Sequence, residues 1–274
     1  MKRRHFLAGL AASSVGAAGE AAAADQITRF LPLQSGGGVA SHGALDALLA
    51  RYVSPGSDGV HRVDYAGWKR SAEDRHALEN YIGTLSAVEP MGLTKPEQFA
   101  FWANLYNALT LRVVLAAYPV RSIRDIRPNL FAVGPWKERV VEVRGTPLSL
   151  DDIEHGILRP GWRDPRVHYA VNCASTSCPN LGRRAHRAQT LSADLNAAAR
   201  AYVNHHRGAD VENGRLTVSS IYRWYEADFR GSDLGVIQHL RTYAAPPLAS
   251  RLAAITTISG DRYDWSLNER GAAE

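Results

Sequence analysis

The chain has 274 residues, a formal net charge of +5, 45% hydrophobic and 22% charged residues, and two cysteines. That length is enough to bury a core without staples and suits one large domain. The charge is mild and no block of like charges stands out, which argues against a nucleic-acid partner.

The first 24 residues read as a twin-arginine signal peptide. Arg3-Arg4-His5-Phe6-Leu7 supplies the paired arginines and apolar couple, Leu7 to Gly19 is weakly apolar, and Ala22-Ala23-Ala24 offers a cleavage pattern before Asp25. The apolar stretch is short of the roughly 20 residues that a bilayer span needs. The leader holds Lys2, Arg3, Arg4 and Glu20, so its removal takes the formal charge from +5 to +3. The expected location is periplasmic, with no membrane span in the mature chain. Twin-arginine substrates fold before export, so the domain is expected to fold with its thiols reduced.

Residues 25–42, with Gln34-Ser35-Gly36-Gly37-Gly38, read as a flexible lead-in. Leu45 to Tyr52 reads as a short helix, Val60 to Tyr65 alternates like a strand, and Ala72 to Leu85 is helical. A stronger helix begins at Thr94, where Thr94 and Glu97 form a capping box and Pro96 falls harmlessly in the first turn. Its body, Phe99 to Ala117, is expected to carry one apolar stripe. A hairpin is predicted around Arg139–Val143 and Gly145, then a helix over Ser149–Leu158 capped by Ser149. Val167–Asn172 reads as a strand, Leu191–His205 as a helix, and Asp210–Val218 as a hairpin turning on Asn213-Gly214. Ser220 is expected to cap a helix through Phe229. Helices near 233–244 and 247–255 and a closing strand at Tyr263-Asp264-Trp265 follow. The fold class is α+β in one domain over 43–268, a helical frame with small antiparallel hairpins, and 269–274 reads as a tail.

Four segments carry candidate chemistry. Asn172 to Asn180 delivers Cys173 and Cys178, with four residues between them, to one loop after the expected strand; such loops are where sites are built. Cys178, stiffened by Pro179, is the expected nucleophile once its thiol is acidified. In Asp151-Asp152-Ile153-Glu154-His155, both Asp151 and Asp152 can face His155 on a helix, giving a base with an orienting carboxylate. A thiol–imidazole–carboxylate set of this kind would be papain-like in its layout. Asn104 and Asn107 share a face of the long helix, either to bind an oxyanion or substrate or to pin the cysteine loop. Trp102, His168, Trp224 and Tyr225 are candidate substrate-binding residues. The two cysteines could instead be bridged, or join His155 and His168 around zinc, although no His-x-x-x-His pair completes such a site. No motif demands a cofactor.

Together these segments resemble the domain of unknown function 547 family. The matching residues are Phe101 to Leu109, Leu148 to Arg159, Asp164-Pro165-Arg166 through Ser177-Cys178-Pro179, Trp224 to Phe229, and Tyr263 to Asn268, so the likeness spans about 95–268. Asn180 stands where the family pattern has a second proline. The resemblance implies a site at Glu154-His155 and Ser177-Cys178-Pro179 and supplies no reaction.

The expected function is an exported thiol hydrolase or acyl transferase acting on an amide or γ-glutamyl-type bond in a small-molecule or peptide substrate. Cys178 attacks, His155 takes the proton, Asp151, Asp152 or Glu154 orients the ring, and Asn104 or Asn107 together with loop amides steadies the oxyanion. The rivals are a non-catalytic envelope domain with a Cys173–Cys178 disulfide, and a thiol redox or metal-binding protein.

Overall fold

A computed structural model describes residues 27–31, 36–127, 129 and 132–271. The stretch read as a twin-arginine leader, residues 1–24, lies outside the described residues. The architecture is a helical frame with small sheets, the α+β class expected. Helix α1 (Gly43–Tyr52) leads into the hairpin β1 (Val53–Pro55) and β2 (His61–Val63). Then come α2 (Tyr65–Arg70), α3 (Ala72–Ser86) and the central α4 (Lys95–Ala117). Beyond it lie the hairpin β3 (Val141–Val143) and β4 (Thr146–Leu148), a π-helical segment Asp152–Leu158 that runs into α5 (Arg159–Trp162), and α6 (Val167–Ala170). The C-terminal part holds α7 (Leu191–Val203), β5 (Ala209–Glu212), β6 (Arg215–Ser219), α8 (Ser220–Trp224), α9 (Asp233–Tyr243), α10 (Pro246–Leu252) and β7 (Gly260–Arg262). The strand order of the third sheet is β5-β6-β7, with β7 parallel to β6.

Helix α4 starts as its sequence dictates, with the Thr94 hydroxyl accepting from the Glu97 N–H. It does not present a single apolar stripe. Every residue from Glu97 to Leu111 is buried, because other elements pack around it on all sides. It is long and apolar enough to cross a membrane, but 83% of its most apolar window is buried inside the fold. Trp102, expected in a binding site, is wholly buried core between Phe30 and Phe101, at ring distances of 5.1 and 4.8 Å. Ile27 and Phe30 are buried, and Gly36 and Gly38 donate to Leu93 and Gly92, so the described part of the lead-in is seated on the core. Glu269 and Arg270, read as the start of a tail, pair with Val63 of β2.

Three local expectations change. Val167–Ala170 is a helical turn, not a strand, because Asp164 accepts from the N–H groups of Arg166 and Val167 and starts a turn that no partner strand opposes. A short apolar run does not distinguish these states by periodicity alone. The cap of α8 is Ser219, whose hydroxyl accepts from Ile221, and the segment ends in a separate 3-10 turn, Glu226–Phe229. The closing strand lies just before the expected one, at Gly260–Arg262, leaving Tyr263 to Trp265 free to face the cleft.

Asn104 and Asn107 lie buried on α4, and each clamps a passing main chain in both directions. Asn107 donates to Ala170 O (2.9 Å) and accepts from Asn172 N–H (2.8 Å). Asn104 does the same to His186, donating to its carbonyl and accepting from its N–H, both at 2.9 Å. The two amides are therefore spent on backbone, and the loop-pinning option is the one the fold uses. Replacing Asn107 with Ala leaves the buried Asn172 N–H unpaired, while the Ala170 carbonyl keeps the His186 Nε2 contact at 3.1 Å, so urea unfolding should show a loss of about 1–3 kcal/mol.

Candidate functional site

The Asn107 clamp fixes where α6 ends and the cysteine loop begins. Asn172 then closes the loop across its own base, donating to Pro179 O (2.7 Å) and accepting from Ala174 N–H (2.8 Å). Ala174 is held at φ +62°, a left-handed conformation uncommon for a residue with a Cβ. The far side is tied to the C-terminal segment, where Thr176 and Ser177 donate to the carbonyls of Ser266 and Asp264. The Tyr202 hydroxyl donates to Ser177 O at 2.7 Å.

Both thiols are free, and their sulfurs share a hydrogen bond at 3.1 Å. Their environments differ. Cys178 is buried, accepts the Cys173 N–H at 3.0 Å, and burial pushes its thiol well above the ordinary value. Cys173 is partly exposed on the cleft wall. Its thiol is lowered to about 7, first by the Cys178 S–H, which donates to it when it ionises, then by the hydroxyls of Ser175 and Tyr263, each at 3.2 Å. The acidic sulfur is thus Cys173, and Cys178 is the donor behind it. Burial and the neighbouring thiols push the Tyr263 phenol up, which keeps it a proton donor.

The π-helical segment begins on a reciprocal cap. Ser149 Oγ accepts from Asp152 N–H and the Asp152 carboxylate accepts from Ser149 N–H. Asp152 also pairs with Arg139, so it is not the partner of His155. Asp151 is: its Oδ1 lies 3.7 Å from His155 Nε2, and burial raises its pKa. His155 Nδ1 accepts from Arg159 at 3.1 Å, and the ring stands at the cleft lip. The wider π winding turns Glu154 inward, and π-bulges recur at functional sites.

His168 is buried and stacked on Tyr225 at 4.3 Å. Its Nε2 lies 2.7 Å from Asp228 Oδ2, and since a carboxylate only accepts, this nitrogen carries the proton. Its Nδ1 faces Glu154 Oε1 at 3.8 Å. Burial would push Asp228 up, but hydrogen bonds from His168 and Arg159 hold it well below the usual carboxylate range.

Cys173, Cys178, Asp151, Glu154, His155, His168 and Tyr263 line one cleft of about 660 Å³, to which both hydrophobic clusters contribute: Tyr106 and Val171 from the first, Ile221 from the second. Of the expected site residues, Cys173, Cys178, Glu154, His155, Asp151, His168, Trp224 and Tyr225 line it, whereas Trp102, Asn104 and Asn107 do not. Sequence reasoning missed Asp228, Tyr263 and Trp136 as site residues. Asp228 follows two aromatics in Trp224–Phe229, the one local signal available. Tyr263 is 90 residues from Cys173 in sequence, and nothing local marks that contact. Among the described residues no three His, Cys, Asp or Glu side chains are grouped to hold a metal ion.

Residues 90–203 match the family model described as protein of unknown function, DUF547. No curated protein and no solved structure matches the chain. The matched range contains both cysteines, Glu154, His155 and His168, and ends before Trp224, Tyr225, Asp228 and Tyr263.

The three-donor environment of Cys173 sets a pH profile. Below its pKa the sulfur is protonated and unreactive, and above it the thiolate forms, so iodoacetamide labelling should rise through a midpoint near pH 7. Tyr263→Phe removes one donor and should move the midpoint up by about 0.5–1 pH unit, the effect of one lost hydrogen bond to the charged form.

Proposed function

We propose that this chain, whose residues 90–203 match the DUF547 family model, is an exported thiol hydrolase or acyl transferase acting on an amide or γ-glutamyl-type bond. The observation that carries the reading is the acidified sulfur of Cys173 in a cleft that also holds a carboxylate-oriented imidazole. Cys173, not Cys178, is the nucleophile. His168 is the proton carrier, oriented by Asp228 through Nε2 in the way that a triad aspartate orients its histidine.

The Cys173 thiolate attacks the carbonyl carbon; the C–S bond forms and the C=O electron pair moves to oxygen. Collapse of that intermediate breaks the C–N bond, and the leaving nitrogen takes a proton from the His168 imidazolium. Water, or an amine in a transfer, then attacks the thioester as neutral His168 takes its proton. The acyl group leaves, and thiolate and imidazolium are restored. Cys178 holds the returning thiolate by its S–H. His155 and Asp151 stand at the lip, the site of the alternative base.

A panel of γ-glutamyl and aminoacyl anilides would read this. Cys173→Ala should abolish turnover, His168→Ala should lower it about 10²–10⁴-fold, and His155→Ala should cost less than about tenfold. Cys178→Ser should leave measurable turnover. Full activity in Cys173→Ala would sink the reading, and activity lost on Cys178→Ala but kept in Cys173→Ala would return the nucleophile to Cys178.

The 3.1 Å sulfur contact favours a second reading, a redox pair. Exchange with a disulfide of an envelope partner would join Cys173 to Cys178 and pass two electrons and two protons to the partner, which leaves as a dithiol. A disulfide needs the sulfurs about 1 Å closer. Intact mass of the exported protein tests both this and the leader. Hydrolysis predicts a chain starting at Asp25 with both thiols reduced, and a redox role predicts a mass lower by two hydrogens that dithiothreitol restores.

A further inference from the structure

Glu154 is the group in this cleft that the thiol chemistry does not use. Its side chain is more than nine-tenths buried, it lines the cleft, and it makes no hydrogen bond among the described residues. Among the described residues its one polar side-chain contact is His168 Nδ1 at 3.8 Å, an ion pair while that ring is protonated but longer than a hydrogen bond, and the other nitrogen of the ring serves Asp228. The hydrogen-bonding capacity of the carboxylate is therefore open to a donor in the cleft. The Arg159 guanidinium attracts Glu154 only through space and spends its hydrogen bonds elsewhere: it donates to Asp228 at 2.6 and 3.2 Å and to His155 at 3.1 Å, and lies over the Tyr225 ring at 4.7 Å.

The rest of the wall suits a cation. Asp151 and Glu138 add two further carboxylates against one lysine, Lys137. The opposite side is aromatic and continuous: Trp224 stacks on Trp265 at 5.5 Å, Trp265 meets Tyr263 at 4.6 Å, and Trp136 meets Trp265 edge-on at 5.7 Å. Aromatic faces beside buried carboxylates attract alkyl ammonium groups, and the attraction grows as water is excluded.

We infer that the cleft recognises a primary alkyl ammonium group, with Glu154 as its inner anion, Asp151 as its outer one, and the Trp136–Trp265–Trp224 wall against its methylenes. The inference rests on the acyl-transfer reading for its use: the ammonium belongs either to a free diamine that accepts the acyl group or to a lysine-like side chain of the substrate. As a binding site it stands on Glu154 and the wall alone.

The test is calorimetric titration of the mature chain bearing Cys173→Ala, which removes turnover. The probes are 1,5-diaminopentane and Nα-acetyl-lysine amide, with hexanoate and pentanol as controls. Both ammonium probes, or one of them, should bind at least about tenfold more tightly than either control, and Glu154→Gln should weaken them about tenfold or more. The better of the two identifies the source of the ammonium. Equal binding of diamine, hexanoate and pentanol would overturn the inference, as would a folded Glu154→Gln that binds the diamine unchanged. If Glu154→Gln does not fold, Trp224→Ala at the exposed end of the wall takes its place, with a loss of at least about threefold expected and no loss contradicting the inference. Ammonium binding without thiol-dependent turnover would sink the acyl-transfer reading and leave this one. Turnover without ammonium selectivity would do the reverse.

Discussion

The Asn107 side chain holds the two ends of a turn on which the whole site is built. By donating to Ala170 and accepting from Asn172 it fixes the direction in which the chain leaves α6. Asn172 uses that direction to close the next loop on itself, and the loop places one thiol under the other. A buried amide with both functions satisfied can specify geometry in this way, because any shift leaves a main-chain group without a partner. The energy involved is that of a few hydrogen bonds, yet it decides which sulfur faces the cleft.

That placement separates two chemically identical groups. Burial raises Cys178 and keeps its proton on, and the proton then stabilises charge on Cys173. The same logic separates the histidines. His168 is enclosed, stacked on Tyr225 and oriented by Asp228, whereas His155 stands at the lip between Asp151 and Arg159. One inner imidazole–carboxylate pair, His168 with Asp228, and one outer pair, His155 with Asp151, thus lie near the same thiol-bearing cleft. The π-helical winding of 152–158 matters to both, because it turns Glu154 toward His168 while Asp151 and His155 stay within reach of each other.

Much of this was legible in the sequence. The hairpin at Asn213-Gly214, the Ser149–Asp152 cap and the Thr94 hydroxyl cap stand where local chemistry put them, although the Thr94 N–H goes to Gly38 O and Glu97 does not complete the box. So did the gathering of Cys173, Cys178, His155 and Glu154 into one site, since each lies in a segment dense in reactive side chains. The difference between the two sulfurs was not legible, because it follows from which of them is covered and from Tyr263, brought in from 90 residues away. The contact of Asp228 with His168 was hidden for the same reason. Reading 167–172 as a strand put His168 on a face with Ala170 and Asn172. The turn that forms instead aims it at Asp228, through Asp164 acting as a turn starter that a period-two pattern does not register.

The central claim is that Cys173 is the acidic sulfur and Cys178 its covered donor. Limiting iodoacetamide at pH 7 on the folded, reduced protein, followed by peptide mass mapping, tests it directly. The account predicts that Cys173 carries at least about tenfold more carbamidomethyl label than Cys178, since thiolate fraction and exposure both favour it. Equal labelling, or preferential labelling of Cys178, would contradict it.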